Sequence, residues 1–157
     1  MEKLNIGVEA ARKKIQHYCA YQERCHSEVK DRLYEMGLRT SEINDLISEL
    51  IGENFLNEER FAIAFAGGKF RMKQWGRVKI KYELKKRNVS EYCIRKALQA
   101  IDNVDYSAIL ELLARKKSAT LKGNHFQKRA ALTRYLLQKG FESDLVGAAV
   151  KAVLEKN

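Results

Sequence analysis

The side chains in this sequence that can do chemistry fall into two sets. The first is sulfur and imidazole: His17, Cys19, Cys25 and His26 lie within ten residues, with Cys93 far downstream. On a helix, positions 17 and 19 point about 200° apart, and adjacent Cys25 and His26 cannot easily both turn inward. That spacing does not suit a tetrahedral metal; it suits a packed Cys19 and an exposed capping loop around His26. Cys93 takes an apolar position of a helical pattern and reads as core. The sequence carries no phosphate-binding glycine loop, G-x-S-x-G or H-E-x-x-H. No catalytic residue, cofactor or metal is expected.

The second set is cationic. From 69 to 87 there are nine Lys or Arg (Lys69, Arg71, Lys73, Arg77, Lys79, Lys81, Lys85, Lys86 and Arg87) against one acid, Glu83. Apolar residues, Trp75 and Tyr82 among them, are threaded through these cations. The chemistry available is electrostatic attraction of a polyanion, with the two aromatics free to stack on bases, enter a partner pocket or serve as core. An ordinary solvated face is the competing reading. Against it, Lys81 and Lys85 flank one side of an Ile80/Leu84 stripe while Lys79 and Lys86 project to the far side. Glu83 offers a single internal partner, Arg87 at i+4.

The wider charge distribution favours a binding role. Net charge is +10, yet residues 1–57 carry 8 basic and 10 acidic groups, residues 58–106 carry 12 and 6, and residues 107–157 carry 10 and 4. Two basic thirds suggest a polyanionic or acidic partner. Lys128, Arg129 and Arg134 in the last third add to the candidate surface.

The elements that position these residues show in an internal repeat. Aligned on Gly37, Asn88 and Gly140, apolar residues coincide eight before the anchor (Val29, Ile80, Leu132) and four before (Leu33, Leu84, Leu136). They coincide again one after (Leu38, Val89, Phe141), six after (Ile43, Ile94, Val146), ten after (Ile47, Leu98, Val150) and thirteen after (Leu50, Ile101, Val153). Positions −8 and −4 share a helix face, and Gly or Asn suits the left-handed C′ position of a helix. Thr40 or Ser41, Ser90 and Ser143 then stand where the next helix needs its N-cap. Each pair of helices follows another helical run: about Ala10 to Gln22 with Ile15, Tyr18 and Cys19; Asn57 to about Met72 with a core-facing Phe61, Ala64 and Phe65; and about Tyr106 to Ala119 with Ile109, Leu112 and Leu113.

The expected fold is therefore all-α: three tandem three-helix repeats, 8–56, 57–104 and 105–157, stacked into an elongated, curved array. The same turn occurs three times, so it reads as architecture and not as a sequence-specific DNA reader. Absence of proline and scarce glycine agree with helix. The opening MEKLNIGVEA lacks an apolar signal core, and no run reaches the roughly 20 apolar residues of a membrane span. A cytoplasmic protein with reduced thiols is the expectation, with no membrane contact.

The junction FLNEERFAIAF, then WGRVKIKYELKKRNVS, resembles the signature of the RecX regulatory proteins, with Arg60, Phe61, Gly76, Ile80, Glu83, Leu84 and Val89 in matching places. SEVKDRLYEMGL and RAALTRYLLQKGFESDLV are similar to that family's opening and closing segments. Two positions depart from the pattern: the family's Pro after Gly is Arg77 here, and its turn Gly is Asn88. The resemblance implies a non-enzymatic modulator of the RecA recombinase. Family members bind the RecA filament on single-stranded DNA in its groove, most suppressing its ATPase, strand-exchange and co-protease activities, and some bind DNA directly. A monomer is expected, with the cations above as its contact surface.

Overall fold

The structure is a computed structural model that describes residues 4–155. Among the described residues there are nine α-helices and no strand. They are α1 (Val8–Tyr21), α2 (His26–Glu35), α3 (Thr40–Gly52), α4 (Glu58–Lys73), α5 (Arg77–Lys86), α6 (Glu91–Gln99), α7 (Asn103–Ser118), α8 (His125–Gln138) and α9 (Ser143–Glu155). Substantial helix-on-helix packing is confined to α1–α3, α4–α6 and α7–α9, so the array is three tandem three-helix units.

The repeat columns are the cores. Every residue at −8, −4, +1, +6 and +13 is buried, and all six at −8 and −4 are fully so. At +10 Val150 is buried while Ile47 and Leu98 are half-buried. The anchors turn as their residue types require: Gly37, Asn88 and Gly140 have φ of 83°, 60° and 97°, the left-handed region that Gly and Asn tolerate best.

Local details differ from the sequence reading. The third helix of each unit starts three residues past the anchor, so the N-cap is Arg39, Ser90 or the position of Glu142. Ser90 caps as expected, its Oγ accepting from Cys93 N–H at 3.3 Å. Thr40 and Ser143 are instead the first helical residues. In unit 1 the Glu42 carboxylate takes over, accepting from Arg39 N–H at 2.9 Å. Asn57 caps α4 as expected, its side chain accepting from Arg60 N–H at 2.9 Å. Leu112 and Ala64, expected in the core, are exposed; the buried residues of α7 are Tyr106, Leu110, Leu113 and Ala114, and those of α4 are Phe61, Ala62, Ala66 and Phe70. His26 is not in a loop: it opens α2 and is half-buried.

The units meet at one recurring joint. The carbonyl just before each anchor accepts a hydrogen bond from outside its own helix pair. Lys139 O accepts from Gly76 N–H at 2.8 Å, Arg87 O from Ser27 Oγ at 3.4 Å, and Met36 O from Ile6 N–H at 3.2 Å. The start of α5 thus lies on the turn of unit 3 and the start of α2 on the turn of unit 2. In unit 1 residues 4–6 take the same place. Val78 N–H adds a second bond to Gly140 O at 2.8 Å. A Cβ on Gly76 would overlap the Gly140 carbonyl, so backbone meets backbone there and no side chain fits. Units 2 and 3 share one continuous apolar cluster, which Cys25 of unit 1 joins; the other residues of unit 1's core form their own.

Candidate polyanion-binding surface

Charge in this molecule is sorted by residue type. Among the described residues seven arginines (12, 24, 32, 60, 77, 87 and 115) form ion pairs with carboxylates. Among the described lysines only Lys86 does, 3.9 Å from Glu83. The planar arginine fork holds internal geometry, whereas lysine's hydrated point charge is left to face solvent. The outward field is therefore chiefly a lysine field.

Arg77 shows how far an arginine can be drawn inside. Its guanidinium lies 3.7 Å from the Tyr106 ring centroid, 2.8 Å from Glu142 Oε2 and 2.6 Å from Asn103 Oδ1. Its backbone N–H donates to Tyr106 Oη at 2.9 Å, and that hydroxyl donates in turn to Glu142. Burial, then the Glu142 bond, raise the Tyr106 hydroxyl well above the ordinary tyrosine range. Phe70, Tyr106 and Phe141 stack through the same joint at centroid separations of 5.7 and 5.2 Å. Arg77, grouped with the surface cations in sequence, thus sits half-buried in the joint between units 2 and 3.

Beside that joint the lysines converge. Trp75 is half-buried against the core, with Lys69 Nζ 5.2 Å and Lys79 Nζ 4.6 Å from its ring centroid. Lys139, in the turn of unit 3, donates to Lys73 O at 2.8 Å. Burial, reinforced by the nearby Lys79 and Lys73 charges, holds the Lys139 ammonium below the usual lysine range. Lys69 and Lys79 flank one indole, Lys139 lies near Lys79 and Lys73, and no carboxylate lies within ion-pair distance of the four among the described residues. Lys139 escaped the sequence reading; its one available signal was its place next to an anchor in a basic third.

The remaining candidates are dispersed. Arg71, Lys81, Lys85 and Lys86 are exposed on α4 and α5, and Tyr82, with 62% of its surface exposed, carries Lys86 5.6 Å from its ring. Arg134 is exposed on α8, while Lys128 and Arg129 line separate clefts within unit 3. The sulfur and imidazole set is split: Cys19 is buried in the core of unit 1, Cys25 in the cluster of units 2 and 3. Burial raises both thiols above the ordinary range, which disfavours thiolate chemistry. No described helix is long and apolar enough to cross a membrane.

Fold and surface together define a tandem three-helix repeat protein that presents lysines around an aromatic joint. The family model described as the second three-helix domain of RecX matches residues 57–98, and that of the third matches 104–150. The chain belongs to the RecX family. It is 33% identical over 131 residues to Regulatory protein RecX of Clostridium perfringens, covering 82% of this chain and 61% of that protein. With its Bacillus cytotoxicus counterpart the identity is 25%, covering 97% and 57%. The chain thus spans little more than half the length of these relatives. The crystal structure of RecX from Lactobacillus salivarius superposes with a TM-score of 0.84 at 21% identity, over 93% of this chain and 96% of that one; it supports the fold.

Proposed function

We propose that this chain, in units 8–56, 57–104 and 105–157, regulates the RecA recombinase by binding the groove of its filament on single-stranded DNA. It acts without making or breaking a bond. By touching adjacent protomers it favours one filament state and slows ATP hydrolysis, strand exchange and co-protease activity, a shift in an equilibrium. The observation that carries the reading is the lysine cluster at a knitted joint between two units. A cationic surface on a stiff repeat scaffold can hold its register along an anionic nucleoprotein groove. Lys69, Lys73, Lys79, Lys81, Lys85 and Lys86 supply the contact, Arg71, Lys128, Arg129 and Arg134 support it, and Arg77 keeps units 2 and 3 aligned. The protein works as a cytoplasmic monomer.

The test is ATP hydrolysis by RecA on single-stranded DNA with the protein added substoichiometrically. A fall in rate that Lys73→Gln with Lys79→Gln relieves is expected; an unchanged rate and filament length at low salt would exclude the proposal.

A second reading, direct sequence-tolerant DNA binding, is favoured by the sorting of free charge into lysine. It predicts affinity for naked DNA equal to that for RecA filaments. About four to six phosphate contacts would give a slope of log K against log salt of about −3 to −5.

A further inference from the structure

Helix α4 is apolar on more of its circumference than its own unit buries. Phe61, Ala62, Ala66 and Phe70 lie in the core. A second stripe starts from buried Phe61 and runs along the flank through Phe65, Gly68 and Met72 at i+4, i+7 and i+11, with Ala64 beside it. That stripe floors a groove of about 620 Å³ against the α1–α2 connection of unit 1. Ala64 is exposed, Phe65 half-buried, and Met72 keeps 84% of its surface exposed. A thioether left in water at the mouth of an apolar groove is an adaptable contact for another chain.

The charges around the groove are not balanced. Its acids are engaged: Glu23 accepts twice from Arg60 Nε, at 2.5 and 2.8 Å, and Glu28 accepts from Cys25 N–H at 3.2 Å. Arg87 stands 4.7 Å from the Phe65 ring centroid but is paired with Glu83 at 2.9 Å. Lys69, 5.5 Å from the same centroid, and Lys73 have no carboxylate partner among the described residues. The groove therefore offers an apolar floor with two uncompensated ammonium groups on its rim.

We infer that this groove docks an acidic peptide segment carrying a bulky apolar anchor: the anchor lies on Phe65, Gly68 and Met72, and its carboxylates meet Lys69 and Lys73. A peptide fits better than a nucleic acid, because the floor has no polar group to meet a phosphate or a base edge. The inference goes beyond the filament reading and does not depend on it.

The probe is a fluorescein-labelled acidic peptide ending in leucine and phenylalanine, titrated by anisotropy against the full chain. Its control replaces those two residues with serine. A Cβ at Gly68 would meet nothing within 4 Å, so Gly68→Leu can fill the groove and raise helix propensity without disturbing the fold. The expected result is saturable binding that falls about tenfold or more in Gly68→Leu and in the serine control, with thermal unfolding of the variant unchanged or raised. Lys69→Gln with Lys73→Gln should weaken binding and flatten its salt dependence. Equal binding of both peptides, indifference to Gly68→Leu, or no saturable binding would overturn the proposal. So would an oligothymidylate that needs Gly68 while the peptide does not compete. RecA inhibition that persists in Gly68→Leu would leave the filament reading standing whichever way the peptide behaves.

Discussion

At the level of single residues, the most informative position is Arg77, where the family pattern has proline. Proline would preset the backbone for the first turn of α5, yet it has no N–H to give Tyr106 and no guanidinium to bridge Glu142 and Asn103. Arg77→Pro should therefore destabilise the protein by about 2 kcal/mol, the worth of a neutral hydrogen bond plus a partly buried charge contact. Denaturant melts would show it, and a variant as stable as its parent would refute the role given to this joint. None of this was legible in sequence, because the partner Glu142 lies 65 residues away and nothing local marks it. Gly76 was visible as a motif residue, but its reason, contact with the Gly140 backbone, was not. Glu58 makes a similar tie, accepting from Ser90 N–H at 2.6 Å. Burial pushes its carboxyl up, but the bonds from Ser90 prevail and its pKa lies below the ordinary value of 4.5. A depressed folded-state pKa adds stability above the unfolded carboxyl range and loses it as pH falls through the folded value. The parent should thus lose more stability than Glu58→Gln between about pH 5 and 3, as melts across that range would reveal.

At the level of helices and turns, the sequence was far more readable. The anchor, −8, −4, +1, +6 and +13 columns are local in origin: a helix face, a left-handed turn and the residue that folds back over it. Asn88, at φ 60°, is the one anchor bearing a side chain. Asn88→Ala should cost about 1–2 kcal/mol and Asn88→Gly close to nothing. A reversed order would mean that the side chain, not the backbone, matters there. What periodicity could not resolve was which of two apolar faces of α4 is the core. Ala64 and Phe65 satisfy helical spacing from Phe61 as well as Ala62, Ala66 and Phe70 do; the packing of α6 on α4 decides that Phe61 continues into the second set. Only Ala64 was misplaced, since Phe61 is buried and Phe65 packs against the core, and Ala64 lines the groove proposed above.

Across the whole molecule, net charge pointed to a polyanion without saying which cations are available. Among the described residues seven arginines are paired with carboxylates while all lysines but Lys86 are not, a division that depends on neighbours and is invisible in a charge count. Replacing Lys81 and Lys85 together by glutamine should lower the salt slope of DNA or filament binding by up to about 2, one for each phosphate no longer neutralised. Arg24→Gln with Arg32→Gln should leave that slope unchanged, and equal effects would refute the division. The recurring joint has a last consequence. A contact in which one unit grips the next could be passed from molecule to molecule, growing fibres head to tail. Here the joint positions left over in units 1 and 3 are already engaged among the described residues. Residues 4–6 cover the leading turn, and α8 begins one turn earlier than α2 and α5 relative to its anchor. The N–H of Lys128, counterpart of the Gly76 donor, is consequently bonded within its own helix to Asn124 O at 3.0 Å. Sedimentation should find single molecules at high concentration, and freeing the turn of unit 1 by deleting residues 1–6 should cost stability there without producing chains, because the Lys128 N–H is already engaged in α8.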